Sequence, residues 1–152
     1  MPAKYNFFWY FHRLKLRIDF LIFFFFLFLE NGRVFLFGHN DYGQLGLGHT
    51  KTITKPSCLK YLKPFHSVHV ACGKGHTLVS TECGKLFSFG SNSDGQLGLG
   101  DLNDRLTPQM VNIDDLGDEH IAAVAAGCLH SAYLTGMFFI NGNVHHVKHK
   151  EY

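Results

Sequence analysis

Two histidines stand at matched positions and are the residues of this chain most suited to acid–base chemistry. His76 is followed by Thr77, and His130 is followed by Ser131. An imidazole beside a hydroxyl is the pairing that nucleophilic catalysis uses, with the histidine as general base. A catalytic histidine normally occurs once and has an acid or nucleophile partner, whereas this one recurs. We therefore predict that both histidines are structural, with ring nitrogens bonded to backbone groups at a hairpin turn.

Two glycine-rich segments have a composition that can hold phosphate. They are GHNDYGQLGLG at 38–48 and GSNSDGQLGLG at 90–100. Neither has the order G-x-x-x-x-G-K-[ST] or G-x-G-x-x-G, so we predict no nucleotide and no other cofactor. We expect the glycines to form tight turns with positive φ and the intervening leucines to fill apolar gaps between neighbouring sheets. The glycines are Gly43, Gly46, Gly48, Gly95, Gly98 and Gly100, and the leucines are Leu45, Leu47, Leu97 and Leu99.

The remaining metal-ligating and nucleophilic side chains give a weak signal. No two cysteines have the C-x-x-C spacing of a zinc knuckle or a redox motif. Cys72 and Cys83 flank one predicted hairpin, which leaves a disulfide open, but reduced and mostly buried thiols are favoured for all four cysteines. Near the C-terminus, His145, His146 and His149 offer only weak metal chelation. We predict no metal site, no catalytic residue and no enzyme activity.

The elements that position these residues form one module that occurs twice between about Glu30 and Thr135. Residues 30–48 recur at 82–100 with a shift of 52. ACGKGHTLVST at 71–81 recurs as AAGCLHSAYLT at 125–135 with a shift of 54, and the two extra residues fall in a loop, where insertions cost little. Matched blocks in a fixed order predict two tandem repeats.

Each module has the pattern of short antiparallel strands. Arg33–Phe37 and Lys85–Phe89 are aromatic-rich runs bounded by glycine, and Ser67–Ala71 alternates valine with polar residues. His76–Ser80 follows after a gap of hairpin length, and a weaker strand is expected near Ser57–Lys60. Four-stranded units that repeat at about 40–50 residues are typical of propeller blades. We predict an all-β fold, a partial β-propeller of about two four-stranded antiparallel blades.

The segments on either side of the repeats differ from them in composition. Residues 1–29 are a Phe-rich, non-repeat N-terminal segment that ends in FLIFFFFLFL at 20–29, and residues 136–152 are predicted to be an irregular C-terminal tail. The apolar run has about half the ~20 residues that a membrane-spanning helix needs. Basic residues followed by an apolar run also fit a signal peptide or a signal anchor. A mis-joined or alternatively spliced exon is a further interpretation.

The charge of the repeat region and the unpaired edges of its blades indicate which class of partner the chain binds. Residues 30–135 hold eight Lys/Arg against ten Asp/Glu. A mildly acidic surface argues against nucleic acid, which needs clustered Lys/Arg, and favours protein partners. Two repeats leave open blade edges, so we expect marginal stability or self-association. The FLIFFFFLFL run is a candidate replacement strand for one such edge, or a further source of aggregation.

The repeated blocks resemble the repeats of the regulator of chromosome condensation family. They are GxNxxGQLGLG at 38–48, with His39 before Asn40, its second copy at 90–100, and xCGxxHT at 71–77 with its echo at 126–131. The resemblance covers about 106 of the 152 residues. KPSCLKYLKP at 55–64 and ACGKGHTLVSTECGKL at 71–86 look most like the branch of the retinitis pigmentosa GTPase regulator. The resemblance implies a seven-bladed propeller whose blades each combine two neighbouring repeats.

The resemblance also implies a role in protein interaction. The founding member of the family exchanges guanine nucleotide on a small GTPase, other members are scaffolds, and the retinitis pigmentosa branch works at cilia. We expect a non-catalytic scaffold fragment in the cytoplasm or cilium that binds a small GTPase or ciliary scaffold proteins. The alternatives are a guanine-nucleotide exchange factor and a membrane-anchored repeat protein. Neither repeat has room for the inserted β-wedge that the family's exchange factors use.

Loops carry function on propellers, so partner binding is expected on three loop segments of the two repeats. For each residue taken singly, a solvated turn is the simpler interpretation. The candidate partner-binding residues are His39, Asn40, Asp41 and Tyr42 in the first segment, Ser91, Asn92, Ser93 and Asp94 in the second, and Asp101, Asn103, Asp104 and Arg105 in the third.

Overall fold

The computed structural model describes residues 25–113, 120–136 and 148–151 and confirms an all-β fold built from antiparallel sheets. The described part of the chain contains ten strands and one short 3₁₀ turn at Lys60–Leu62. The strands are β1 Phe25–Glu30, β2 Arg33–Gly38, β3 Ile53–Cys58, β4 Ser67–Cys72, β5 His76–Thr81, β6 Leu86–Gly90, β7 Arg105–Met110, β8 His120–Ala126, β9 Ser131–Gly136 and β10 Lys148–Glu151.

The strands form three sheets that follow one another along the chain. The middle sheet has the order β4-β5-β6-β7 and is a complete four-stranded blade. The first sheet, β1-β2-β3, and the third sheet, β10-β9-β8, each have three described strands. The middle sheet takes β4 and β5 from the first repeat and β6 and β7 from the second. The structural blade is therefore shifted relative to the sequence repeat, as the family resemblance implied.

Strand β1 belongs to the Phe-rich N-terminal segment and pairs with β2 over its full length. The register runs from Phe25 opposite Gly38 to Glu30 opposite Arg33. Asn31 and Gly32 join the two strands with φ of 50° and 72°, which is the two-residue turn that Asn-Gly favours in hairpins. The second half of FLIFFFFLFL therefore supplies a strand at the position of the second strand of a blade.

The predicted boundaries at 29 and 135 remain predictions. Strand β1 extends across the first boundary, and β10, which pairs with β9, lies beyond the second. The backbone of His149 lies on β10, whereas His145 and His146 lie outside the described residues, as does the start of the apolar run at 20–24.

The outermost strands β3 and β7 carry a proline at matched positions, Pro56 and Pro108. A proline cannot donate to a neighbouring strand, so it fits the outer edge of a sheet. The strand expected near Ser57–Lys60 begins earlier, at Ile53, and ends at Cys58. The chain then tightens into the 3₁₀ turn, which buries Leu62.

The core lies between the sheets. Leu45, Leu59 and Phe89 belong to a buried apolar cluster between the first sheet and the middle sheet. Leu86, Ile121 and Tyr133 belong to a second cluster, between the middle and third sheets. All six residues of β5 are buried, because this strand lies inside the middle sheet and is covered on both faces.

Gly46 shows why the glycine-rich segments need glycine. Its φ is +65°, and a Cβ at this position would lie 2.8 Å from Cε2 of Phe89. A side chain here would therefore meet both backbone strain and the core. All six glycines predicted to have positive φ have it, and Leu45 and Leu97 are buried as expected.

Candidate functional site

Four connections lie at one end of the sheets, which we call the loop end. They are the connections β2–β3, β4–β5, β6–β7 and β8–β9, and they share an end because neighbouring strands alternate in direction. Hydrogen bonds between these connections agree. The Ser91 amide donates to Gly75 O at 2.8 Å within the middle sheet, and the Lys74 amide donates to Gly127 O of the third sheet at 3.2 Å. All twelve predicted partner-binding residues lie at this loop end, with Arg105 at the start of β7.

Asn40 and Asn92 are fully buried and hold the two long loops in shape. Asn40 Oδ1 accepts from the Leu45 amide at 2.9 Å, and its Nδ2 donates to His49 O at 2.7 Å. Asn92 repeats this geometry with the Leu97 amide at 2.9 Å and Asp101 O at 2.8 Å. The side chains of these two predicted residues face the interior, and their hydrogen-bonding capacity is used within the loop.

Gln44 and Gln96 are buried residues of the same loops that the sequence interpretation did not single out. The Tyr42 amide donates to Gln44 Oε1 at 3.0 Å, and the Asp94 amide donates to Gln96 Oε1 at 2.9 Å. Each glutamine therefore fixes the backbone of the most exposed part of its loop. Both copies have glutamine at this position, and this match was the sequence signal that could have identified the two residues.

Three matched positions beside these buried amides are exposed or half-buried, and they differ between the copies. His39 corresponds to Ser91, Asp41 to Ser93, and Tyr42 to Asp94 at the shift of 52. His39 Nε2 lies 2.9 Å from Asp41 Oδ2, and Ser93 Oγ donates to Asp94 Oδ2 at 2.7 Å. The same scaffold thus presents a histidine, an acid and a tyrosine in one copy and small polar and acidic groups in the other.

Tyr42 is an exposed aromatic side chain of this surface, which also exposes Leu102 and Leu129. The Tyr42 side chain is 47% exposed. A Cβ on Gly75 would lie 2.9 Å from Tyr42 Cδ2 and 3.5 Å from Ser91 Cβ, so the ring lies over the β4–β5 turn beside the next loop. The fold therefore brings the segments His39–Tyr42 and Ser91–Asp94 together around Gly75.

The third predicted segment uses its charges internally. Arg105 Nη2 donates to Asp101 Oδ2 at 2.6 Å, and the Asn103 amide donates to Asp101 Oδ1 at 2.8 Å. The Asn103 hydrogen bond first, and then Arg105, lower the pKa of Asp101. Asp104 Oδ1 accepts from the Asn92 amide at 2.7 Å. This segment is a braced turn that supports the loop end.

His76 is completely buried, and its Nε2 lies 2.9 Å from Ser131 Oγ on β9 of the third sheet. The structural role is as predicted, but the partner is a hydroxyl of the neighbouring sheet rather than a backbone group of its own hairpin. Burial lowers the pKa of His76, and a hydrogen bond with the His130 backbone opposes this shift. Because the pair is buried, no substrate reaches the Ser131 hydroxyl.

The spacing of the CGxxHT motif follows from ring packing. A Cβ on Gly73 would collide with the His76 ring, and a Cβ on Gly127 would collide with the His130 ring. The Gly73 amide donates to His76 O at 2.8 Å, and the Gly127 amide donates to His130 O at 2.9 Å. Each histidine therefore covers the glycine three residues earlier and closes its own turn. Unlike His76, His130 is exposed.

All four cysteines are free thiols, but the expectation that they are mostly buried is wrong for two of them. Cys83 and Cys128 are exposed, because both lie in turns, whereas Cys58 and Cys72 are half-buried. Burial raises the pKa of Cys72 to about 12. Among the residues that the structure describes, no three His, Cys, Asp or Glu side chains are grouped as metal ligands.

The amides of the first glycine-rich segment are already paired with protein acceptors. The Gly43 amide donates to Asn40 O at 3.0 Å, and the Gly46 amide donates to Gly43 O at 2.8 Å. The Gly48 amide donates to Leu106 O at 2.8 Å on β7. These N–H groups, which a phosphate loop would direct at its ligand, instead shape the turn and join the first sheet to the middle sheet.

Comparison with known proteins agrees with the fold. Residues 31–80 and 83–134 both match the regulator of chromosome condensation (RCC1) repeat. The chain is 44% identical over 115 residues to the X-linked retinitis pigmentosa GTPase regulator of Canis lupus familiaris and 45% identical over 116 residues to that of Homo sapiens. Each alignment covers 74% of this chain and 11% of the relative, so the chain spans about a tenth of their length.

Solved structures give the same architecture. Human WBSCR16 superposes with a TM-score of 0.66 at 26% identity over 74% of this chain and 28% of that protein. Prp20p of Saccharomyces cerevisiae superposes with a TM-score of 0.66 at 20% identity over 77% of this chain and 30% of Prp20p. The second likeness shows the fold alone. Because two matched repeats cover more than half of its residues, the chain belongs to the regulator of chromosome condensation repeat family.

Proposed function

We propose that this chain is a non-catalytic protein-interaction module of a GTPase-regulator-type propeller and that it binds its partner through the loop end. One observation carries the proposal. The two long loops share a buried framework of Asn and Gln hydrogen bonds, whereas their exposed positions differ in charge and size. A rigid framework with variable exposed residues is the arrangement that recognition surfaces use.

Tyr42 is the proposed anchor of this surface. Tyrosine is enriched among residues that dominate binding energy, because it buries a large rigid ring and keeps a polar hydroxyl. Asp41, the residue before it, and Asp94 in the neighbouring loop are exposed, as is Lys74 on the turn that the ring covers. The loop end therefore presents an exposed aromatic ring together with both acidic and basic side chains.

A small GTPase is the partner class that the relatives described above favour, because both align over 74% of this chain and are named GTPase regulators. Residence in the cytoplasm or cilium and binding of ciliary scaffold proteins are parts of the same proposal. Guanine-nucleotide exchange is the second candidate. The structure of Prp20p was described together with its binding to Gsp1p and histones, which makes direct contact with a GTPase a reasonable first test.

Membrane anchoring is the third candidate and concerns residues 1–29. No helix in the described ranges has the length and apolar character needed to cross a bilayer. Carbonate extraction of the tagged full chain tests the anchor, because a peripheral protein is released and an anchored one is retained.

The decisive experiment measures binding of the purified full chain to a panel of small GTPases, each loaded with GDP or with a GTP analogue. We expect Tyr42→Ala to raise the Kd at least tenfold, or about 1.4 kcal/mol. Met110→Ala is the matched control, because Met110 is 58% exposed and ends β7 at the opposite end of the sheets. A panel without any binder, or equal losses in both variants, would contradict the proposal.

A nucleotide-release assay separates the scaffold from the exchange factor. The full chain is added to each GTPase that it binds, with fluorescent GDP in the nucleotide site. A scaffold leaves the release rate unchanged, whereas an exchange factor accelerates it.

A further inference from the structure

A groove runs along the outer rim between the first sheet and the middle sheet, and none of the twelve predicted partner-binding residues lines it. Leu47, Ile53 and Leu59 give it an apolar floor, Tyr61 and Lys60 line it at the 3₁₀ turn, and Thr107 closes it from β7. Its volume is about 710 Å³. This volume is within the range of about 300–1,000 Å³ that binding clefts for small ligands or a few side chains occupy.

The first repeat makes the surroundings of this groove basic. The chain has no Asp or Glu between Asp41 and Glu82, whereas that stretch contains five lysines. Four of them are exposed on β3, the 3₁₀ turn and the residues next to these elements: Lys51, Lys55, Lys60 and Lys63. On the side of β7, Asp101 is paired with Arg105 at 2.6 Å, and Asp104 accepts the Asn92 amide at 2.7 Å.

The propeller framework does not require these lysines. At the shift of 52, the second repeat has Asn103 in place of Lys51 and Thr107 in place of Lys55. Between Asp94 and Thr135 it has Arg105 as its single Lys or Arg. The two copies therefore share turns and core but differ in charge. The positive charge lies on or next to the elements that line the groove, and Lys60 belongs to the lining itself.

We propose that this outer groove binds an acidic protein segment that inserts one aliphatic or aromatic side chain between Leu47, Ile53 and Tyr61. Charge complementarity defines the occupant: carboxylates of the segment face the lysines on the border, and the apolar side chain reaches the floor. A nucleic acid fits less well, because the floor is aliphatic, the lysines are dispersed and no run of aromatic platforms is present among the lining residues.

The test is a selection of random twelve-residue peptides displayed on phage against the immobilised full chain. We expect the enriched peptides to carry at least two acids next to an aliphatic or aromatic residue. A synthetic copy of an enriched peptide should bind at least tenfold more weakly to the variant Lys55→Glu/Lys60→Glu and more weakly in high salt. Lys74→Glu, an exposed lysine on the β4–β5 turn, should leave its affinity unchanged.

The thiols provide a second readout inside the same molecule. Cys58 lines the groove, whereas Cys83 is exposed on the β5–β6 turn. Bound peptide should slow alkylation of Cys58 and leave alkylation of Cys83 unchanged, as measured by mass spectrometry.

Four results of the peptide experiments would overturn the proposal. They are selected peptides without acidic enrichment, undiminished binding to the double-glutamate variant, unprotected Cys58, and displacement of the peptide by a short single-stranded DNA at lower concentration than by acidic competitor peptide. If the double-glutamate change instead dissociates an oligomer of this chain in sedimentation experiments and no peptide is selected, the occupant is a second copy and the proposal is wrong.

Discussion

The Nε2 atom of His76 lies 2.9 Å from the hydroxyl oxygen of Ser131, 55 residues later in the chain. The next residue, Thr77, donates its hydroxyl proton to Gln44 O at 2.7 Å. His76 thus bonds forward to the third sheet, and Thr77 bonds backward to a loop of the first sheet. The His-Thr pair, which resembled a fragment of a catalytic site in the sequence, connects three successive sheets.

Removing the Ser131 hydroxyl should destabilise the chain. Ser131→Ala leaves a buried imidazole nitrogen without its partner, which costs about 1–3 kcal/mol of unfolding free energy. Urea denaturation of the full chain measures the loss. Ser93→Ala, at an exposed loop position, is the control and should stay within about 0.5 kcal/mol of the parent. An equal, small effect of both changes would show that the His76–Ser131 bond contributes little.

Stability should fall as the solution is acidified, and His76 should account for part of that fall. Burial lowers the pKa of His76 below its ordinary value of 6.5, so the unfolded chain binds more protons than the folded chain between the folded pKa and about 6.5. The contribution of His76 to the free energy of unfolding therefore rises with pH through this window and is lost below it. His76→Gln should flatten the profile measured by urea denaturation at a series of pH values, and an unchanged profile would contradict this role of His76.

Truncating a buried loop asparagine should loosen its loop. Asn92→Ala deprives the buried Leu97 amide and the part-buried Asp101 O of their partners, and we expect a loss of about 2–4 kcal/mol. Hydrogen exchange at the Leu97 amide should accelerate more than exchange within β5. If exchange increased uniformly along the chain, the asparagine would stabilise the whole fold rather than this loop.

Two glycines that both have a left-handed backbone conformation should differ in their tolerance of alanine. Gly46 and Gly100 have φ of +65° and +80°, but only Gly46 faces the Phe89 ring, and a Cβ at Gly100 meets nothing within 4 Å. Gly100→Ala should cost about 1–2 kcal/mol from left-handed backbone strain alone. Gly46→Ala should cost clearly more in thermal or urea unfolding. Equal costs would mean that the ring moves away without loss of packing.

Much of the fold follows from local sequence signals. Glycine-bounded aromatic runs predicted β2 and β6, and recurrence of these blocks indicated a propeller. Strand β3 was placed too late because Thr54, Lys55 and Pro56 are polar or strand-breaking residues, which only an exposed outer edge tolerates. The sequence analysis did not predict which strand β1 pairs with, because an apolar run alone does not indicate its partner. Recognising Asn31-Gly32 as a hairpin turn would have indicated the pairing with β2.

The candidate site was harder to predict because exposure depends on the folded loop. Asn40 and Tyr42 are two residues apart, yet one is buried and the other is half-exposed. Identity of Asn40 with Asn92 between the copies was the signal for the buried member. The hydroxyl partner of His76 lies in another sheet, and no spacing within one repeat indicates it. The mildly acidic balance of residues 30–135 concealed the basic groove, although the stretch without Asp or Glu between Asp41 and Glu82 could be read from the sequence.

The matched repeats meet between residues 80 and 83, within the turn that joins β5 to β6 inside the middle blade. A break in the chain at this boundary between the two repeats would not release two independent modules. It would give two halves that each retain two strands of a shared sheet and can reassemble along the β5–β6 ladder. Inserting or removing one whole copy at this point leaves every blade with strands from two neighbouring repeats. A protein of this kind can therefore change its number of blades without leaving an incomplete sheet.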